Sequence, residues 1–262
     1  GGESGAVGEL RIPATPGPHP VAVVVHGGCW SSIASPAYMS RLAEALTRFG
    51  WATWSPGFLR ADDPGGEWPG MMEDVGHALD HLRVLAQEYP LDLGRIVTVG
   101  HSSGGHLALW LAARASLSPS GDGARLRGPG PLPVSAVVGL APIADLQDFH
   151  LRSERGCPES AVADLLGTAS VEGSPRRRLS DPAALLPLGV PQLLLTGELD
   201  DTVPTSHARG YGARASEGGD MVTVTEVAGA GHFELVEPTH TSWTAFTGPA
   251  IQAFLDSVAS IG

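Results

Sequence analysis

Two kinds of apolar pattern alternate along the chain. Short runs without polar interruption at 21–26 (VAVVVH), 52–56, 95–100 (RIVTVG), 134–140 (VSAVVGL), 191–196 (PQLLLT) and 222–227 (VTVTEV) predict strands. Such runs suit strands buried on both faces of a sheet. Between them apolar residues recur at helical spacing: 36–49, closed by Gly50; 71–87, stopped by Pro90; 103–115; and about 243–260. This alternation implies a mostly parallel α/β sheet with helices on both faces. Ligands bind such sheets outside the carboxyl ends of the strands. Residues 118–133, rich in Gly, Pro and Ser, read as a surface loop. From 145 to 178 the pattern loosens into short helical pieces, among them 159–166. That stretch is too short for a second domain and suits a small lid, so 1–262 is expected to form one domain.

Composition narrows the partners. The 262 residues are 42% hydrophobic and 17% charged, ordinary for a globular chain with a sizeable core. The net charge is −12, and all sixteen basic residues are arginine. That balance argues against nucleic acid or an anionic membrane as partner. The densest basic cluster, Arg176 to Arg178, is expected to be a solvated loop. No apolar span reaches transmembrane length, and the first residues lack the charged-then-apolar pattern of a signal peptide. A cytoplasmic location is the resulting expectation. The chain also begins without methionine. Two cysteines, Cys29 and Cys157, do not make a disulfide scaffold. No HExxH, CxxC or aspartate triplet suggests a metal. The glycines of GDGARLRGPGP do not follow a strand, so a dinucleotide site is a poor reading.

Four motifs follow strands. Gly100-His101-Ser102-Ser103-Gly104 fits G-x-S-x-G, with a strand before it and an apolar helix after it. A turn that sharp puts Ser102 in a strained conformation with an exposed hydroxyl, and its neighbours must be small. Ser103, at the helix start, offers a backbone N–H to an anion. His26-Gly27-Gly28-Cys29-Trp30 ends the first strong strand, and its Gly28 and Cys29 amides are candidate oxyanion donors. In Gly197-Glu198-Leu199-Asp200-Asp201-Thr202-Val203-Pro204, Asp200 is the favoured carboxylate to orient a histidine, with Asp201 its rival. In Gly229-Ala230-Gly231-His232, His232 is placed to act as general base. His240 is the alternative, in a polar stretch before a helix. His26 is expected to hold its loop by hydrogen bonding. His106 reads as a packing residue, and His101 as the variable position of the turn. Trp68 and Asp74 read as structural, at the start of a helix. The chain order Ser102, Asp200, His232 is more specific than any one motif.

These motifs resemble the α/β-hydrolase superfamily, and within it small serine esterases with an HGG-x-W oxyanion loop. That group includes feruloyl-esterase-like, kynurenine-formamidase-like and hormone-sensitive-lipase-like enzymes, and the resemblance runs from about Val21 to the last helix. It implies a hydrolase acting through an acyl-enzyme on small acyl esters, with no metal or cofactor. An arylformamidase or amidase using the same residues is the alternative within enzymes, and a non-catalytic binding protein of the same fold the alternative outside them. Two departures stand out. Cys29 replaces the third loop glycine of lipase relatives, and the N-terminal part, shorter than the resemblance implies, is expected to leave the leading β-hairpin incomplete. Trp30 either walls the acyl pocket or packs in the core. A Cys29–Cys157 bridge above the site is conceivable, although a cytoplasmic protein would keep both thiols reduced.

Overall fold

The computed structural model describes residues 8–152 and 156–259. Seven strands form one sheet: β1 Gly8–Arg11, β2 His19–Val25, β3 Ala52–Pro56, β4 Leu91–His101, β5 Ala136–Leu140, β6 Gln192–Gly197 and β7 Val222–Val227. Their order is β1-β3-β2-β4-β5-β6-β7. All neighbours pair in parallel except β1, which runs antiparallel to β3. The helices are α1 Ser40–Arg48, α2 Gly70–Asp80, α3 Leu82–Leu85, α4 Ser103–Ala113, α5 Gly121–Arg127, α6 Leu146–Arg152, α7 Ala161–Leu166, α8 Pro175–Ser180, α9 Thr205–Glu217 and α10 Gly248–Ala259.

The unbroken apolar runs are explained by burial on both faces. Along β2, Val21, Val23 and Val25 join the core under α2, α4 and α9, while Ala22 and Val24 join the core under α1 and α10. Leu194 and its neighbours Leu193 and Leu195 divide the same way on β6. Each buried Val or Leu contributes roughly 1.5–3 kcal/mol, so these central strands carry a substantial share of the stability. At the outer edge β7 alternates between partly buried and exposed residues. Helix α4 is buried along its whole length, which is why its sequence carries no polar stripe.

Several expectations are adjusted. The helix expected over 71–87 breaks at His81 into α2 and α3. The loop expected at 118–133 contains α5, whose glycines hide it. Leu126 on α5 is buried, and its carbonyl accepts from Arg114 Nε at 3.1 Å. The last helix starts as a π-turn at Trp243–Thr247 before α10, and the expected end at residue 260 lies outside the described residues. Strand β1, four residues long, carries no pattern strong enough to read. The arginine trio is no solvated loop. Arg176 lies over the Trp68 ring at 4.9 Å and donates to the carbonyls of Leu166 and Gly167, while Arg177 pairs with buried Asp181 at 2.7 Å.

The 145–178 stretch carries α6, α7 and most of α8, within the described residues. Its start is tied to the chain just past its end, where Asp181 Oδ1 accepts from the Leu146 amide at 3.1 Å. Buried His207 on α9 accepts from the Ala144 amide at 3.0 Å, and its Nδ1–H donates to Asp148 Oδ2 at 2.6 Å. That bond holds the Asp148 carboxyl well below the ordinary range. Cys157 is bonded to Cys29, with Cα atoms 5.6 Å apart. The expectation of two reduced thiols is therefore corrected: the fold brings the loop after β2 and this segment within bonding distance.

Candidate active site

In chain order β3 lies outside β2 and the next strand returns on its other side, so the order of connection reverses between β2 and β4. A crevice opens at the carboxyl ends of such a pair. The loop after β2 carries His26 to Trp30, and the turn after β4 carries Ser102. The loops after β6 and β7 reach the same edge with Asp200 and His232. A cavity of about 200 Å³ there is lined by Gly28, Cys29, Tyr38, His101, Ser102 and His232, among others.

Ser102 has φ 57° and ψ −124°, in the region that L-residues avoid. The conformation is held from three sides. Its N–H donates to Leu140 O at 2.9 Å, and its carbonyl accepts from the amides of Ile143 at 3.1 Å and His106 at 3.2 Å. The flanking glycines make the turn sterically possible. A Cβ on Gly100 would stand 2.1 Å from the Gly104 carbonyl oxygen, and one on Gly104 would stand 2.3 Å from Val25 O and 2.4 Å from His26 O.

Asp200 and His232 are joined as the sequence suggests. His232 Nδ1 lies 2.7 Å from Asp200 Oδ2, while Asp200 Oδ1 accepts from the amides of Thr202 and Val203, both at 2.8 Å. Burial alone would raise the Asp200 pKa. The bond to His232, that ring's charge and the two amides outweigh it, and the carboxyl sits below its ordinary value. Asp201 is exposed, and His240 is engaged with Ser242 Oγ at 2.7 Å.

The loop after β2 takes an unusual path. Gly28, Cys29 and Trp30 have φ of 124°, 52° and 59°, so two non-glycine residues in succession are left-handed. Such residues cost about 1–3 kcal/mol each and persist only where the surroundings fix them. Here the disulfide fixes Cys29. Trp30 is fixed by its amide, 3.3 Å from Ser103 Oγ, and by its indole N–H, 3.1 Å from His106 Nδ1. His106 in turn donates from Nε2 to Ser180 O at 2.8 Å, and burial lowers its pKa to about 4. Trp30 is thus buried among ring and helix and does not line the cavity, which corrects the pocket-wall reading. His26 Nδ1–H donates to Gly27 O at 2.8 Å, and its ring stacks on Phe58. Trp68 donates to Ser180 Oγ, and Asp74 accepts from the Leu59 amide; both are structural.

His101 is more than a variable position. Its Nε2 is 2.9 Å from the His232 carbonyl oxygen, which can only accept, so the proton sits on Nε2. Nδ1 then accepts from Tyr38 O–H at 2.9 Å, and Tyr38 accepts from the Gly27 amide at 2.7 Å. Burial, reinforced by the neighbouring His232, pushes the His101 pKa down to about 3. Burial pushes that of Tyr38 up to about 12. A neutral relay therefore joins the β2 loop to the His232 backbone. Nothing in the sequence marks it, because the turn pattern leaves position 101 open.

Among the described residues no group of His, Cys, Asp and Glu is arranged to hold a metal, and no helix is long and apolar enough to cross a membrane. The BD-FAE family model matches residues 10–212. Esterase LipQ of Mycobacterium tuberculosis is 25% identical over 218 residues, covering 81% of this chain and 50% of that protein. The probable carboxylic ester hydrolase LipM of the same organism is 27% identical over 222 residues, covering 80% and 49%. The chain thus spans about half the length of these curated relatives. Among solved structures, a truncated carbohydrate esterase from gut microbiota superposes with TM-score 0.75 at 20% identity, covering 96% of this chain and 90% of that one. The propionate-bound esterase Est2 of Thermogutta terrifontis gives 0.72 at 20% identity, covering 97% and 95%. At such identity the likeness is one of fold.

Proposed function

Because the chain belongs to the BD-FAE family and has the α/β-hydrolase fold, we propose that it is a serine hydrolase cleaving small carboxylic esters. The observation that carries this reading is the convergence on one cavity of Ser102, at its strained apex, with His232, whose Nδ1 is bound to Asp200. With Nδ1 engaged, Nε2 is the ring nitrogen that takes the proton. Ser102 Oγ attacks the ester carbonyl carbon as His232 Nε2 accepts its proton, and the carbonyl π-electrons move to oxygen. The amides of Gly28, Cys29 and Ser103 stabilise that oxyanion, each to the extent of about 3 kcal/mol. The neighbouring amides of Gly27 and Trp30 are already engaged by Tyr38 and Ser103, which leaves those of Gly28 and Cys29 for the ligand. Collapse of the intermediate expels the alcohol, which receives the proton from His232. Water, deprotonated by the same ring, then clears the acyl-enzyme. Asp200 fixes the tautomer and supports the imidazolium that forms twice in each cycle.

Residues 145–178 act as a cover within a single domain. The Cys29–Cys157 bridge favours an oxidising compartment over the cytoplasm, where thiols are kept reduced. The reading is tested with nitrophenyl esters, an N-formyl aromatic amine and a fluorophosphonate probe. Ester turnover with a single adduct on Ser102 is expected. Turnover of the formamide alone would move the assignment to the C–N bond, and no adduct would end the hydrolase reading.

A further inference from the structure

Two hollows lie side by side at the carboxyl edge of the sheet. The inner one, about 200 Å³, holds Ser102 and His232. The outer one, about 710 Å³, is bordered by Ser31, Asp62, Glu67 and Asp164. Cys29 faces both. On either side of Cys157, Gly156 borders the inner hollow and Pro158 the outer. The Cys29–Cys157 bond therefore stands in the wall between them. The strap that carries Cys157 is also pinned on its other flank. Gly156 has φ 112°, and a Cβ there would stand 2.6 Å from Thr202 Cγ2 and 2.9 Å from Thr202 Oγ1, so its backbone lies directly against the loop that follows Asp200.

We propose that the Cys29–Cys157 disulfide is a specificity-determining partition, confining the acyl group to the inner hollow and closing off the outer cleft. The proposal rests on the ester-hydrolase reading and adds the size of acyl group that the site accepts. At about 30 Å³ for each water-sized group, the inner hollow has room for roughly six, enough for a short acyl chain and part of the leaving group. A long chain would need the outer cleft. With the bond opened, the strap keeps its contact with Thr202 but loses its hold on Cys29, and the hollows join.

The test compares nitrophenyl acetate, butyrate and octanoate on the oxidised protein and on Cys157→Ala, which opens the bond and leaves Cys29 itself unsubstituted, any loosening of its amide being common to all three esters. The ratio of kcat/KM for octanoate to that for acetate does not depend on the folded fraction. It is expected to rise about tenfold or more in the variant, the scale on which a pocket wall discriminates a methylene or two. An unchanged ratio overturns the partition, as does recovery of two free thiols from the denatured, unreduced protein. Reduction of the unsubstituted protein with dithiothreitol, followed by reoxidation, needs no substitution: the ratio must rise and then return. Calorimetric binding of the same esters to Ser102→Ala and to Ser102→Ala/Cys157→Ala reads the wall without turnover, and octanoate must bind tighter only in the second. A protein that hydrolyses none of the esters but keeps this binding contrast sinks the ester reading and leaves the partition standing. Hydrolysis without any contrast sinks the partition alone.

Discussion

The imidazole of His101 lies against that of His232, ring centroids 4.5 Å apart, and donates its Nε2 proton to the His232 main-chain carbonyl at 2.9 Å. The ring proposed as base is therefore placed by Asp200 through its side chain and by His101 through its backbone. His101→Phe keeps the ring volume and removes the donor. A displacement of reacting groups by about an ångström can cost about 100-fold, so kcat is expected to fall about 10- to 100-fold with KM little changed. His101→Asn, which keeps a donor, should recover part of the loss. Equal kcat in all three proteins would reduce His101 to core packing.

The two adjacent serines separate cleanly. Ser102→Ala removes the attacking oxygen, and loss of a serine nucleophile costs about a millionfold in well-studied hydrolases. Ser103→Ala keeps the backbone N–H and loses only a 3.3 Å acceptor for the Trp30 amide. Its kcat/KM is expected within about tenfold of the parent, since one neutral hydrogen bond is worth about 1 kcal/mol. Steady-state kinetics with nitrophenyl butyrate decides, and equal losses would move the nucleophile.

Asp200→Asn is informative because one oxygen remains to receive the Thr202 and Val203 amides, so the loop keeps its shape. The amide cannot support an imidazolium and favours the wrong tautomer of His232. A fall in kcat of about 10⁴-fold is expected, with circular dichroism unchanged. A loss under tenfold would make Asp201 or another carboxylate the partner.

Acid should weaken the fold before it reaches the carboxylates. His101 and His106 are buried and neutral, with pKa values near 3 and 4 against 6.5 in the unfolded chain. A depressed folded pKa means stability that is fully present above pH 6.5 and is lost progressively as pH falls toward those values. At about 1.4 kcal/mol per unit, His106 alone withdraws on the order of 3 kcal/mol, a large part of a typical total of about 5–15. Urea midpoints measured from pH 7 to pH 4.5 should fall steeply. His106→Gln should start lower and fall less steeply, by about one proton. Parallel slopes would contradict the assignment.

The order of strands and helices was legible because burial on both faces leaves uninterrupted apolar runs such as VAVVVH and PQLLLT. Ser102, Asp200 and His232 were legible because each follows its own strand, where glycines mark the turns. What the sequence concealed has physical causes. Strand β1 has only four residues and pairs at the edge, and α5 is built on glycines and held by Arg114 from outside. The relay through His101 and Tyr38 joins residues 63 apart in the chain, then a further 131 to His232, and neither separation leaves a local pattern. Cys29 and Cys157, 128 residues apart, meet only once the segment around Cys157 packs against the loop after β2.

The spacing between the Ser102 oxygen and the amides proposed to receive the oxyanion is gauged by atoms the chain leaves out. Ser102 rides on α4 and Gly28 on the loop after β2, and the two elements touch where Gly104 presents bare backbone to the carbonyls of Val25 and His26. Main chain rests on main chain there, with no room for a side-chain atom between the two. The width of the proposed reactive slot is thereby set by the thickness of a peptide group, and a single methyl at position 104 would act as a shim, pushing Ser102 and the loop after β2 apart without changing the chemistry of any proposed catalytic side chain.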